Sequence, residues 1–147
     1  MQNRNNINLK EAKIVIVEDD ESHRELLSRL FSRNNVLNDV LLLDSGVALL
    51  KFLENYTDNP KELIILLDLN LPLLDGYQVL EKIREVYSPH ELMVIMISTT
   101  ARENDINLAY KKGCNYFLRK PLDFRLLEEF TNKNNLSIIK LKYLESV

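Results

Sequence analysis

Three short runs of aliphatic residues constrain this chain more than anything else in it: KIVIV at 13–17, LIILL at 63–67 and LMVIMI at 92–97. None alternates apolar with polar residues, so each predicts a strand buried on both faces rather than one lying half in water. Strands of that kind belong to parallel sheets, whose crossover connections put helices on both sides. The segments between them have the matching periodicity. After EDDES (18–22), Leu26, Leu27, Leu30 and Phe31 recur at helical spacing. VLLL (40–43) predicts a further strand and 47–53 a helix, and Asp75 is placed to cap a helix carrying Val79, Leu80, Ile83 and Val86 on one side. A helix to about Lys112 should stop at Gly113, NYFLRK (115–120) predicts a fifth strand, and Asp123 opens a last helix through Leu126, Leu127 and Phe130. Five strands alternating with five helices predict an α/β fold, a doubly wound five-stranded parallel sheet.

Composition narrows the function classes. With 46% hydrophobic and 28% charged residues in 147, the chain has material for one domain with a proper core. Its 19 basic and 22 acidic residues give a net charge of −3, without the basic surplus expected of a nucleic-acid binder. No apolar run approaches the ~20 residues of a membrane span. The polar start, MQNRNNINLKEA, has no secretory h-region. A single cysteine, Cys114, excludes an internal disulfide and a cysteine-based metal site. These features together predict a cytoplasmic protein that binds neither nucleic acid nor membrane.

In open parallel sheets, ligands sit outside the carboxyl ends of the strands. Those ends carry Glu18-Asp19-Asp20, then Asp68 followed by Asn70 and Pro72, then Ser98-Thr99-Thr100, and Lys120-Pro121. Carboxylates gathered at one rim repel one another unless a cation lies between them. Two or three acids and a carbonyl suit Mg²⁺, and a nearby hydroxyl and ammonium suit a tetrahedral anion beside it. Acids, Mg²⁺, hydroxyl and lysine make up the equipment of phosphoryl transfer, with a carboxylate as the obvious nucleophile.

Here the motifs IVIVEDDES, ILLDLNLPLLDGYQVL, VIMIST and FLRKP resemble those of the receiver domains of two-component response regulators, over about residues 11 to 131. The resemblance implies the flavodoxin-like receiver fold with strand order 2-1-3-4-5. It also implies a signalling protein that catalyses only its own phosphorylation and dephosphorylation. Asp68 becomes the phosphoacceptor. Glu18, Asp19, Asp68 and the backbone carbonyl of Asn70 become the Mg²⁺ site, with Asp19 the direct ligand and Glu18, in place of the commoner Asp, acting through water. Asp20 lies one place beyond the pair. Lys120 holds a phosphoryl oxygen, Ser98 and Phe117 are the switch pair, and Asn70 and Thr100 tune dephosphorylation. Pro121 carries a cis peptide bond. Phe117 replaces the usual Tyr and must switch by packing alone, while Tyr116 next to it faces the other way.

The stretches LLDLNLPLLDG, ISTT and KPLDF resemble those of the stand-alone, phytochrome-associated receivers. The partners implied are a sensor histidine kinase, a bacteriophytochrome among them, or a phosphotransfer protein, and a downstream protein target. A homodimer through the fourth helix, fifth strand and fifth helix is also implied. A polar tail at 1–10 and an apolar extension at 132–147 flank the domain. The extension either prolongs the last helix over the domain's own surface or joins a dimer contact. Two rivals stand beside this reading. An aspartyl hydrolase would want Asp where Asn70 stands, and a nucleotide binder would want a phosphate loop where EDDES stands. His23 and His90 lack metal-ligand spacing and are expected at the surface.

Overall fold

A computed structural model describes residues 10–138. In chain order it runs β1 (Lys10–Glu11), β2 (Lys13–Val17), α1 (Glu21–Arg33), β3 (Val40–Leu43) and α2 (Gly46–Glu54), then β4 (Leu63–Asp68), α3 (Gly76–Val86) and β5 (Met93–Ser98). It ends with α4 (Glu103–Lys111), β6 (Tyr116–Arg119), α5 (Phe124–Lys133) and β7 (Leu136–Ser137). The main sheet is parallel in the order β3-β2-β4-β5-β6. Numbered among themselves, these five strands run 2-1-3-4-5, the order that the receiver resemblance implies.

The continuous aliphatic strands are buried on both faces. Val15, Val17, Ile65, Leu67, Val94 and Met96 pack with Leu49 of α2, Val79, Leu80 and Ile83 of α3 and Ala109 of α4. Their strand neighbours Ile14, Ile16, Ile64, Leu66, Ile95 and Ile97 pack on the opposite face with Leu27 and Phe31 of α1 and Leu127 of α5. Each such side chain contributes about 1.5–3 kcal/mol through burial, so the central strands are the most firmly held part of the chain.

Helix starts follow the expected chemistry. Asp75 accepts from the Gln78 N–H while the Gln78 side chain accepts from the Asp75 N–H, a reciprocal box, and Asp123 accepts from Arg125 and Leu126. Gly113 follows α4 at φ 106°, the left-handed stop that glycine adopts without strain. Val86, by contrast, is exposed, because α3 ends on it and Tyr87 is already extended.

The C-terminal extension departs from one of its two expected forms. It does not prolong α5, which ends at Lys133; Asn134 and Asn135 follow, the latter at φ 62°, and turn the chain back. Leu136–Ser137 then pair in parallel with Lys10–Glu11 as a separate two-stranded sheet. The remainder of the extension, and the polar tail before residue 10, lie outside the described residues. No helix among the described residues is long and apolar enough to cross a membrane.

Candidate active site at the carboxyl rim of the sheet

The strand register decides which residues meet at the rim. Val17 pairs with Leu67, Asp68 with Ile97 and Ser98 with Arg119, so the last residue of each strand sits within one position of its neighbour's. Backbone bonds extend this past the strands: Glu18 N–H donates to Leu43 O (3.0 Å), Leu69 N–H to Ile97 O (2.9 Å) and Lys120 N–H to Ser98 O (2.8 Å). Glu18, Asp68, Ser98 and Lys120 thereby gather at one end of the sheet. Gly76 lets α3 start against it. A Cβ there would lie 2.5 Å from the Asp68 carbonyl oxygen and 2.8 Å from Leu69 Cα, both backbone atoms that cannot give way cheaply.

Asp68 is 4% exposed and Glu18 1% exposed, both too deep to remain charged without partners. Lys120 Nζ donates to Glu18 Oε1 and to Asp68 Oδ2, the latter at 3.1 Å, and the Asn70 N–H donates to Asp68 Oδ1 at 3.0 Å. One ammonium cannot neutralise two carboxylates. Burial, and then the hydrogen bond with Glu18, push the Asp68 carboxyl up to about 6. Burial works against Glu18 too, but its hydrogen bonds with Asp68 and Lys120 hold it below the usual carboxylate range. The pair behaves as two acids contending for one proton.

Glu18, Asp19 and Asp68 each offer an oxygen, and these oxygens lie within 4.8 Å of one another. Hard oxygen donors at that spacing fit a hard divalent cation such as Mg²⁺, and the buried like charges are the feature such a cation would relieve. Asp19 is exposed toward a cavity of about 420 Å³ that Asn70, Thr100 and Tyr77 also line, so the site opens to water. Asp20, one place beyond the pair, caps α1 instead, accepting from the Ser22 and His23 N–H groups.

On the other side of Asp68 lies a small hydroxyl and amide cluster. Ser98, fully buried, has its Oγ 3.2 Å from Thr100 Oγ1, and it accepts from the Thr100 N–H at 3.1 Å and from Asn70 Nδ2 at 3.5 Å. Phe117 is half-buried against the α3–α4 face of the core, and its N–H donates to the Tyr110 hydroxyl on α4 (3.2 Å). Tyr116 points to the opposite face and stacks on Phe130 at 3.9 Å between ring centroids. The Lys120–Pro121 peptide is cis. Cys114 is buried, which pushes its thiol up to about 12 and leaves it inert.

Two residues of α1 escaped the sequence reading. Arg24 Nη1 donates to the Glu18 and Asp19 carbonyl oxygens at 2.8 and 3.0 Å, fixing the backbone of the acid pair. His23 has its Nδ1 3.3 Å from Lys120 Nζ and so stands at the site, whereas His90 is exposed as expected. An arginine five residues beyond the acid pair is a signal for the first; nothing in the sequence pairs His23 with a lysine 97 positions away.

Comparison with known proteins agrees with this geometry. The response regulator receiver domain family matches residues 14–132. The probable methanogenesis regulatory protein FilR2 of Methanothrix harundinacea is 32% identical over 117 residues, 78% of this chain and 76% of that protein. Response regulator Rcp1 of Synechocystis is 30% identical over 115 residues, 76% and 78% of the two chains. Among solved structures, the bacteriophytochrome response regulator AtBRR superposes with a TM-score of 0.72 at 25% identity, covering 91% of this chain and 99% of its own. An acid pocket at the carboxyl rim of a 2-1-3-4-5 sheet, matched by sequence across nearly all of the described residues, means that this chain belongs to the response regulator receiver family of two-component signalling proteins.

Proposed function

We propose that Asp68 takes a phosphoryl group from a phosphohistidine on a sensor histidine kinase or a phosphotransfer protein, and that the chain then signals through protein contacts. The burial of this carboxylate, with Lys120 Nζ 3.1 Å from one oxygen and the Asn70 N–H 3.0 Å from the other, carries the reading. An Asp68 oxygen attacks phosphorus, the phosphorus–nitrogen bond breaks, and its electron pair leaves on the donor imidazole, which takes a proton from water. Glu18, Asp19, Asp68 and the backbone carbonyl of Asn70 would hold Mg²⁺, which when bound offsets the charge of the transferring oxygens. Lys120 donates to one of those oxygens. Asn70 and Thr100 flank the path of the hydrolytic water and set the lifetime of the acyl phosphate.

The added group brings nearly two negative charges and three strong acceptors. Ser98 turns its hydroxyl from Thr100 toward them, and the Phe117 ring moves into the space vacated, while its backbone N–H stays on the Tyr110 hydroxyl of α4. The surface of α4, β6 and α5, where Leu108 and Tyr110 are exposed, is then read by a downstream protein or by a second copy of the chain. The likeness to a bacteriophytochrome response regulator favours a bacteriophytochrome as the donor, and the chain would act in the cytoplasm. A groove of about 360 Å³ lined by Leu26, Leu27, Leu30 and Pro121 runs up to Lys120 and offers the donor an apolar wall. With acetyl phosphate and Mg²⁺ the protein should gain the mass of one phosphoryl group, and Asp68→Asn should gain none. Equal labelling of the two would sink the reading.

A further inference from the structure

We infer that His23 is a positioning residue for Lys120: its Nδ1 accepts the third N–H of the ammonium and aims that bond until a phosphoryl oxygen replaces it. The inference rests on the phosphoacceptor role of Asp68.

An ammonium has three donors and no acceptor. Around Lys120 Nζ stand three acceptors: Glu18 Oε1, Asp68 Oδ2 at 3.1 Å and His23 Nδ1 at 3.3 Å. Each N–H therefore has one partner. A ring nitrogen that accepts from an ammonium presents its lone pair, so the inference commits His23 to the Nε2–H tautomer. The same Nδ1 lies 3.5 Å from Glu18 Oε1, farther than from Lys120 Nζ at 3.3 Å, so the ammonium is its nearer partner.

The backbone under His23 is fixed. It is the third residue of α1, and its own N–H donates to Asp20 Oδ1 at 3.2 Å. The side chain is 39% exposed and forms a wall common to the acid pocket and the apolar groove beside α1. Of the three acceptors, the neutral imidazole holds its bond to the ammonium least strongly, since the other two are carboxylates. It is the one Lys120 gives up when an anionic oxygen arrives on Asp68. Until then it keeps the third N–H from being lost to water and stops Lys120 from swinging wholly onto Glu18.

Without His23, Lys120 must be reoriented during the transfer, which costs rate rather than fold. His23→Leu should label with acetyl phosphate about three- to ten-fold more slowly than wild type at saturating Mg²⁺. His23→Asn, whose amide oxygen stands where Nδ1 stood, should recover to within about two-fold. Nitrogen-15 spectra of the imidazole should report the Nε2–H tautomer. The Nδ1 signal should move when Mg²⁺ and beryllofluoride are added to wild type and stay still in Lys120→Met. Labelling of His23→Leu at the wild-type rate, or an Nδ1–H tautomer, overturns the inference while wild-type labelling leaves the reading of Asp68 intact. A wild-type protein that takes no label removes that reading and this one with it.

Discussion

At the amino-terminal rim of the sheet a half-buried guanidinium is spent on neutral oxygens, whereas at the carboxyl rim two buried carboxylates contend for one ammonium. Arg84 donates from Nε to Gly113 O (2.8 Å), from Nη1 to Leu92 O (2.9 Å) and from Nη2 to Asn115 Oδ1 (2.9 Å), joining the loops that lead into β5 and β6. Burial lowers it only to about 10, so it stays charged with every contact complementary. Glu18, Asp68 and Lys120 at the other rim carry unequal charge, and burial together with the hydrogen bond to Glu18 pushes the Asp68 carboxyl up to about 6. One rim closes the fold. The other holds unrelieved charge, at a cost the buried central strands absorb.

If this division holds, substitutions at the two rims move stability in opposite directions. Arg84→Met leaves the Gly113 and Leu92 carbonyls and the Asn115 amide short of a donor and should cost about 3 kcal/mol in urea unfolding. Beryllofluoride binding by the folded fraction should be unchanged. A pocket that weakened in step with stability would show that the rims are not separate.

Asp68→Asn tests the other side. The folded carboxyl titrates near 6 and the unfolded one near 3.8, so the folded state binds the proton more tightly. Stability of the wild type therefore falls as pH rises from about 4 to about 6 and stays lower above that. Replacing the acid removes this loss. Without divalent cations, Asp68→Asn should be about 2 kcal/mol more stable than wild type at pH 7, and the two should converge near pH 4. Added Mg²⁺ should narrow the gap at pH 7 by stabilising only the wild type. A variant no more stable than wild type at neutral pH would mean that Asp68 carries no unrelieved charge.

How far each rim could be read from sequence follows from the same contrast. The carboxyl rim was legible because its acids, Ser98 and Lys120 interrupt or end aliphatic strands, where a polar residue stands out. The strands were legible for the same reason, and Asp75 and Asp123 announced their helices through cap chemistry. Arg84 was not legible. It looks like any arginine on a helix, and its partners are carbonyls from two loops, which no residue type encodes. His23 is hidden likewise, since its partner is 97 residues away. The turn after α5 did leave a signal, a pair of asparagines of which Asn135 takes the left-handed conformation. The apolar Leu136 and Ile138 beyond it nonetheless read equally well as more helix.

The smallest expected effect lies at the amino-terminal rim, on the strand pair that the tail forms. Asn38 is 5% exposed, and its Nδ2 donates to Ala12 O at 2.6 Å and to Ser137 O at 2.9 Å. Ser137 O also accepts the Ala12 N–H at 3.1 Å, so one amide side chain bridges the start of β2 and the end of β7. Like Arg84, it spends its donors on carbonyls and carries no charge to be relieved. Asn38→Ala should thus cost about 1 kcal/mol, confined to that clasp. Hydrogen exchange at Ala12 should quicken by about five-fold, the same energy read locally, while the amides of 14–17 keep their protection because the main sheet does not depend on β7. Loss of protection along β2 as a whole would show that the clasp supports the sheet, and that the amino-terminal rim is one cooperative structure rather than a set of independent closures.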